Sequence, residues 1–172
     1  MNIRNANLDD VHRLIEIYAY YVVNTAITFE YDIPSLEDFS DRMKNTIKSY
    51  PYLVLEENGI VQGYVYAGAF HERAAYSRCC ELSIYIDHNA TGKGYGRILY
   101  TALENELKQA GKLNLYACIG SPIVEDEYLT NNSEQFHNHL GFKKIGEFHK
   151  CGYKFGRWYN MIWMEKFIGQ HM

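Results

Sequence analysis

The chain is poor in the features that mark several broad classes of protein. It has three prolines in 172 residues, Pro34, Pro51 and Pro122, and no Pro/Gly-rich linker, internal repeat or low-complexity tract divides it. One domain over residues 1–172 with a single sizeable core is expected. No apolar run approaches the roughly 18 residues of a membrane span. The start, MNIRNANLDDVHRL, lacks the apolar stretch of a signal peptide, so a cytoplasmic protein with no membrane partner is expected. There is no Lys/Arg run, and the net charge is −4 with a pI near 6.0. That balance argues against nucleic acid as a partner. The four cysteines, Cys79, Cys80, Cys118 and Cys151, form no C-x-x-C pair, which speaks against zinc or dithiol redox chemistry. They read as reduced thiols, most of them buried, with Cys79 and Cys80 on opposite faces of one strand.

Tyrosine, by contrast, is abundant: sixteen residues, suited both to core and to pockets with a polar rim. The order of elements is mixed. LDDVHRLIEIYAYYVVNT places Val11, Leu14, Ile15, Tyr18 and Val22 at helical spacing, with Asn7 or Asp9 as cap. A second helix is expected over Ser35 to Ser49, capped by Ser35, with Leu36, Phe39, Met43 and Ile47 on one face. YLVLEENGIVQGYVYAGAF reads as a hairpin around Asn58-Gly59, a type I′ turn signal. CELSIYID is a strand, Gly94 to Ala110 a helix stopped by Gly111, and LNLYACIG a strand. NNSEQFHNHLGF is a short helix, and the tail is two strands around a Gly-rich loop; a strand at Ile3 to Ala6 fits as well. The sum is an α/β fold in packed layers.

The most informative stretch is DHNATGKGYGRILY, where Gly92, Gly94 and Gly96 fall within five residues between a strand and a helix. Free N–H groups and the helix dipole make such a junction an anion site. Glycine permits φ > 0 and close approach of a phosphate. Lys93 and Arg97 add positive charge. By spacing alone the triplet serves equally as a tight turn. Neither G-x-x-x-x-G-K-[ST] nor G-x-G-x-x-G fits it, so a P-loop and a dinucleotide fold are rejected.

ATGKGYGRILYTALENELKQAGK after ELSIYID resembles the acetyl-CoA pyrophosphate segment of the GCN5-related N-acetyltransferases (GNAT), Gln/Arg-x-x-Gly-x-Gly/Ala, with Gly94 and Gly96 in place and Thr91 at the Gln/Arg position. NNSEQFHNHLGF resembles the family's N-x-x-A/S-x-x-x-Y-x-x-x-G-F helix: Ser133, Gly141 and Phe142 match, Thr130 replaces the Asn, and His137 stands at the Tyr position. A His there, with NTAITFEYD, FHERAAYSRCCELSIYI and GYKFGRWYNMIWM, is similar to the phosphinothricin and methionine sulfone/sulfoximine acetyltransferases. GSPIVEDEYLT is longer than the usual connection.

The resemblance implies a GNAT fold, a central mixed twisted sheet flanked by helices, and acetyl transfer from acetyl-CoA to a small amino-acid-like amine in a ternary complex. It implies cofactor contacts at Ile84, Tyr85, Ile86, Thr91, Gly92, Lys93, Gly94, Tyr95, Gly96, Arg97, Asn132 and Ser133. A strand N–H around Ile84 or Tyr85 would polarise the thioester carbonyl. It implies Glu81 as general base and His137 as the group that protonates or hydrogen-bonds the leaving thiolate. Thr28, Phe29, Arg73 and Tyr76 would meet the amine substrate beside Glu81, Arg73 gripping its carboxylate. Subgroup members are commonly homodimers, and the aromatic tail YKFGRWYNMIW offers apolar surface for one. No metal is implied: His137 and His139, two apart on a helix, do not share a face. Two other readings stay open. One is a protein or peptide N-acetyltransferase, which Arg73 argues against. The other is a non-catalytic acyl-CoA-binding module, which Glu81 and His137 argue against.

Overall fold

A computed structural model describes all residues, 1–172. Seven strands form one sheet in the order β1-β2-β3-β4-β5-β7-β6. They are β1 (Asn2–Asn5), β2 (Tyr52–Glu57), β3 (Ile60–Ala69), β4 (Cys79–Ile86), β5 (Asn114–Ser121), β6 (Lys143–Lys154) and β7 (Arg157–Phe167). The helices are α1 (Val11–Asn24), α2 (Leu36–Ile47), α3 (Tyr95–Gln109) and α4 (Asn132–His139). None is long and apolar enough to cross a membrane.

Alternation along the strands explains the layers. In β2, Tyr52 and Val54 pack with Leu14, Ile17, Phe39 and Met43 of α1 and α2, while Leu53 and Leu55 pack with Leu99, Leu103 and Leu107 of α3. Both faces are covered, so the strand reads as a continuous apolar run. The same alternation puts Tyr85 toward α1 and α2, and Cys80 and Leu82 toward α3.

Local signals explain most boundaries. Asn7, not Asp9, is the first cap: it caps a 3₁₀ turn leading into α1, and Asp10 returns a 2.9 Å bond to the Asn7 N–H. Ser35 caps α2 through a 3.1 Å bond from the Asp38 N–H, but only Phe39 and Met43 of its apolar face are buried; Leu36 and Ile47 are exposed. Asn58 and Gly59 have φ of 53° and 78°, the geometry of the I′ turn. The expected Gly-rich loop in the tail is only a two-residue turn, Phe155-Gly156, with φ of 52° and 73°; the glycine signal spread over residues that pair. The cysteines also differ from expectation: Cys80 is buried, Cys79 half-buried, and Cys118 and Cys151 exposed. Cys118 is on the face of β5 opposite Ala117 and Ile119, which pack in the α3 layer.

Candidate active site

Every neighbouring pair in the sheet is antiparallel except β4 and β5. Those two run parallel and pair only from Cys79–Glu81 to Asn114–Tyr116. Beyond Glu81 they part, and the chain builds its cleft in the gap. On the other side β4 stays paired to β3 as far as Ile86, and the Asp87 N–H continues that ladder by donating to the Gln62 carbonyl. Counting back by twos, Tyr85, Ser83 and Glu81 direct their backbone groups at β3, whereas Leu82, Ile84 and Ile86 direct theirs into the cleft. Of the two backbone donors expected from the sequence, geometry therefore selects Ile84; the Tyr85 N–H belongs to the sheet. Tyr21 donates its hydroxyl to the Ile86 carbonyl, which leaves that residue its N–H.

A groove of about 600 Å³ follows β4 to the start of α3 and is lined by Tyr21, Ile84, Thr91, Gly94, Arg97 and Phe136 among others. Gly92 and Gly94 hold φ of 79° and 80°, left-handed values that β-carbon-bearing residues adopt at a cost. Gly96 is needed for a different reason: a Cβ there would lie 2.8 Å from the Phe136 ring of α4. No side chain caps α3, so its first N–H groups open on the groove. Gly92, Tyr95, Gly96, Asn132 and Ser133 line the same space. Lys93 is the exception. It leans toward Glu57, 3.8 Å away, which also accepts the Tyr95 hydroxyl at 2.7 Å.

The groove continues, through shared Ile27, Ile84 and Ser133, into a channel of about 70 Å³ between the parted strands. Ser83, Tyr100, Cys118, Gly120 and His137 line it. His137 is almost fully buried at 4% exposure. Its Nδ1 lies 2.7 Å from the Ser133 carbonyl, which can only accept, so Nδ1 carries the proton. Nε2 is then an acceptor for the Tyr100 hydroxyl at 2.8 Å. Burial lowers the His137 pKa, against the opposing effect of the Ser133 bond, and a neutral ring results at pH 7. Tyr100 is fully buried and its pKa is raised by desolvation, so it keeps its proton. Desolvation, with the charge of Glu81 acting the same way, pushes the Cys118 thiol up to about 12; it is not a thiolate and not a ready nucleophile.

Glu81 stands where the strands part. It is half-buried, no group in the chain hydrogen-bonds it, and desolvation raises its pKa while the charge of His71 works the other way. Beyond it lies the 71–76 segment. Arg73 is exposed with no acidic partner, and Tyr76 packs against His71 and Phe70. Thr28 is buried with its hydroxyl 2.8 Å from that of Tyr18, and Phe29 is half-buried against Tyr159. The long connection before α4 is folded on Asp126, which accepts from the N–H groups of Tyr128 and Leu129 and from the Tyr159 hydroxyl. Its Tyr128 carbonyl takes the Ala26 N–H at 3.0 Å.

The structure thus gathers the glycine turn, the start of α4, Ile84 and Ile86 on one groove and His137 on the channel that continues it, with Glu81 at the last rung before the strands part. Tyr100, Tyr21, Phe136 and Cys118 were not expected there. Tyr100 sits on the apolar face of α3 between Leu99 and Leu103 and reads as core until the partner of His137 is known.

Residues 3–163 match the acetyltransferase (GNAT) domain family. The chain is 31% identical over 175 residues to the L-methionine sulfoximine/L-methionine sulfone acetyltransferase of Salmonella typhimurium, spanning 99% of this chain and 96% of that protein. It is 29% identical over 168 residues to a phosphinothricin N-acetyltransferase of Streptomyces viridochromogenes, spanning 97% and 88%. A phosphinothricin acetyltransferase from Sinorhizobium meliloti, solved in complex with AcCoA, matches with a TM-score of 0.89 at 34% identity, covering 98% of this chain and 88% of that one. The chain belongs to the GNAT acetyltransferases. It is an N-acetyltransferase, and acetyl-CoA is its acetyl donor.

Proposed function

We propose that the protein acetylates the amine of a small amino-acid-like substrate of the phosphinothricin or methionine sulfone/sulfoximine type, in a ternary complex. One observation carries this reading: an unpaired, desolvated carboxylate, Glu81, at the point where the sheet opens between the cofactor groove and the free Arg73.

The glycine turn and the start of α3 hold the cofactor's phosphates, with Thr91 and Arg97 at the rim and Asn132 and Ser133 opposite. Lys93 contributes charge at a distance. Ile84 donates its N–H to the thioester oxygen, where negative charge grows during attack. Glu81 takes a proton from the incoming ammonium, directly or through water. A free α-amine has a pKa of ~8 and a lysine amine ~10.4, roughly 3 kcal/mol harder to deprotonate, so a base serves either. Arg73 grips the substrate carboxylate with two hydrogen bonds; Tyr76 and Phe29 enclose the side chain, with Thr28 fixing the loop from inside.

The departing sulfur meets the Tyr100–His137 pair. The neutral ring has no N–H to offer the channel, and Tyr100 is too weak an acid to give up its proton. The hydroxyl can turn from Nε2 to the sulfur. That exchanges a neutral bond for a charge-assisted one about twice as strong, and the exchange is favourable only once the sulfur carries charge. His137 thereby makes the contact specific to the transition state. The high pKa of Cys118 favours direct transfer over an acetyl-cysteine route.

The exposed Tyr153, Phe155 and Trp158 at the β6–β7 turn support a two-fold homodimer. A thiol-release screen over amino acids, methionine sulfone and sulfoximine, phosphinothricin, polyamines and peptides tests the whole reading. Turnover of a free amino acid or its analogue is the expected result; turnover of peptides alone would transfer the site to protein acetylation, and none at all would favour a binding module.

A further inference from the structure

The segment 25–30 between α1 and α2 carries Phe29 and Ile27. Its Ile27 and Glu30 N–H groups donate to the Thr25 and Thr28 hydroxyls, and Tyr18 of α1 meets Thr28 and Glu30. A further grip comes from β6. Lys154 is a lysine with 4% exposure, an arrangement rarely found without a partner that answers the charge. Its Nζ donates to the Thr25 carbonyl at 2.8 Å and to the Thr28 carbonyl at 2.8 Å. The only carboxylate whose field reaches it is Glu30, on the same segment, and no carboxylate oxygen lies within 4 Å. Two residues earlier on β6, Gly152 supplies a hollow. A Cβ there would lie 2.3–2.8 Å from three carbons of the Phe29 ring. Gly120 of β5, on the channel wall, lies close to the segment's backbone: a Cβ there would lie 2.9 Å from the Ala26 carbonyl oxygen, with the Phe29 ring in ordinary contact at 3.7 Å.

The ring is thus seated in the hollow at Gly152 and touches Gly120, and the backbone leading into it is tied to a buried ammonium. An ammonium bonded to carbonyls is among the stronger neutral–ion contacts, and burial leaves it no alternative partner. We propose that Gly152 and Lys154 are positioning residues that fix segment 25–30 as a rigid inner wall, and so set which amine side chains the site admits: compact ones, because Phe29 cannot withdraw. The specificity half rests on the reading of the site given above; the fixing half does not.

The test uses the full chain with Lys154→Met, which keeps the stem and removes the ammonium, and Gly152→Ala, which pushes on Phe29 without touching Lys154. Gly146→Ala, on the same strand with nothing within 4 Å of its added Cβ, is the control. Amide hydrogen exchange at Ala26, whose N–H is bonded to Tyr128, and at Thr28 to Glu30 should rise about tenfold or more in both variants and not in the control. On the amine panel both should raise KM for the best substrate by about tenfold and change the order of preference toward bulkier side chains, with kcat and the KM for acetyl-CoA moving far less. Unchanged exchange in the two folded variants overturns the proposal. So does a general loss, in which exchange rises across the sheet and the melting temperature and both KM values shift together. Raised exchange with an unaltered order of amines overturns the specificity half. A wild-type enzyme that turns over no amine condemns the functional reading instead, while the exchange result still decides whether β6 fixes the wall.

Discussion

Replacing Glu81 with Gln keeps the shape of the side chain and its capacity to accept a hydrogen bond, but removes its ability to take a proton. General-base catalysis is worth about 10²–10⁴-fold, or roughly 3–5 kcal/mol of barrier at ~1.4 kcal/mol per decade. The variant should lose that much kcat at neutral pH, measured by thiol release at saturating acetyl-CoA, and recover part of it at high pH where free amine is abundant. The pH profile is the sharper readout. Desolvation raises the Glu81 pKa, so the wild-type rate should fall on the acid side at a pH above the ordinary carboxylate range, and this limb should vanish in Glu81→Gln. Stability should move in the opposite direction. A carboxyl whose folded pKa is raised binds more protons folded than unfolded, so stability falls as pH climbs from the unfolded pKa through the folded one. Above that window the ionised Glu81 is a standing cost, and Glu81→Gln should melt higher than wild type at pH 7. At a pH below the unfolded carboxyl value both chains carry a neutral group, and the advantage should disappear. A variant with wild-type rate and profile would refute the assignment, and one that melts lower at pH 7 would refute the account of its environment.

Gly94→Val places a β-branched residue at φ 80°, costing of order 1–3 kcal/mol of local strain; calorimetry should show acetyl-CoA affinity falling sharply while the fold survives. Tyr100→Phe should lower kcat more than His137→Phe does, because the latter frees the hydroxyl to reach the sulfur. Neither should change acetyl-CoA affinity much, and a larger loss from His137→Phe would return the decisive role to the imidazole. Light scattering at micromolar concentration should give the mass of a dimer; a monomer would leave the exposed aromatic turn of β6 and β7 without its proposed cover.

What was legible in the sequence was whatever rests on local chemistry. The Asn58-Gly59 turn, the Ser35 cap, the alternation of ELSIYI and the glycine turn depend on neighbours within a few residues, and each is where the pattern puts it. What was hidden depends on residues far apart. Tyr100 and His137 are 37 positions apart, and the tyrosine sits at a helical core position that any apolar residue would satisfy. Lys154 follows Tyr153 in a stretch that reads as an ordinary strand end, and nothing nearby indicates that its ammonium is turned inward to a segment 126 residues upstream. The choice between Ile84 and Tyr85 as backbone donor needed the register with β3, which periodicity alone does not supply. The cysteines were misjudged for a related reason: alternation assigns Cys118 and Cys151 to a face of a strand but does not say whether another layer covers that face.

That interrupted pair is the physical reason the site exists. In an antiparallel sheet each strand end is occupied by the turn to its neighbour. At the one parallel join both strands arrive in the same direction, and the chain leaves each through a helix on the α3 side of the sheet. A crevice at the carboxyl ends of two parallel strands follows, as it does in other α/β sheets at a topological switch point. Here the pairing stops after Glu81, so the crevice extends into the sheet and exposes backbone donors along one side of β4. Alternation then divides the work. Leu82, Ile84 and Ile86 face the α3 layer and the glycine turn, while Glu81, Ser83 and Tyr85 face the opposite side of the sheet, where α1 and α2 pack. In the function proposed above, the acetyl donor and the amine would reach Glu81 from opposite faces of one strand. Two reactants that do not compete for space can be bound together and aligned, which is the entropic advantage a ternary complex needs. Further β4–β5 rungs would engage the backbone groups of Leu82 and Ile84 that now face the cleft, and with them the donor of the proposed reaction.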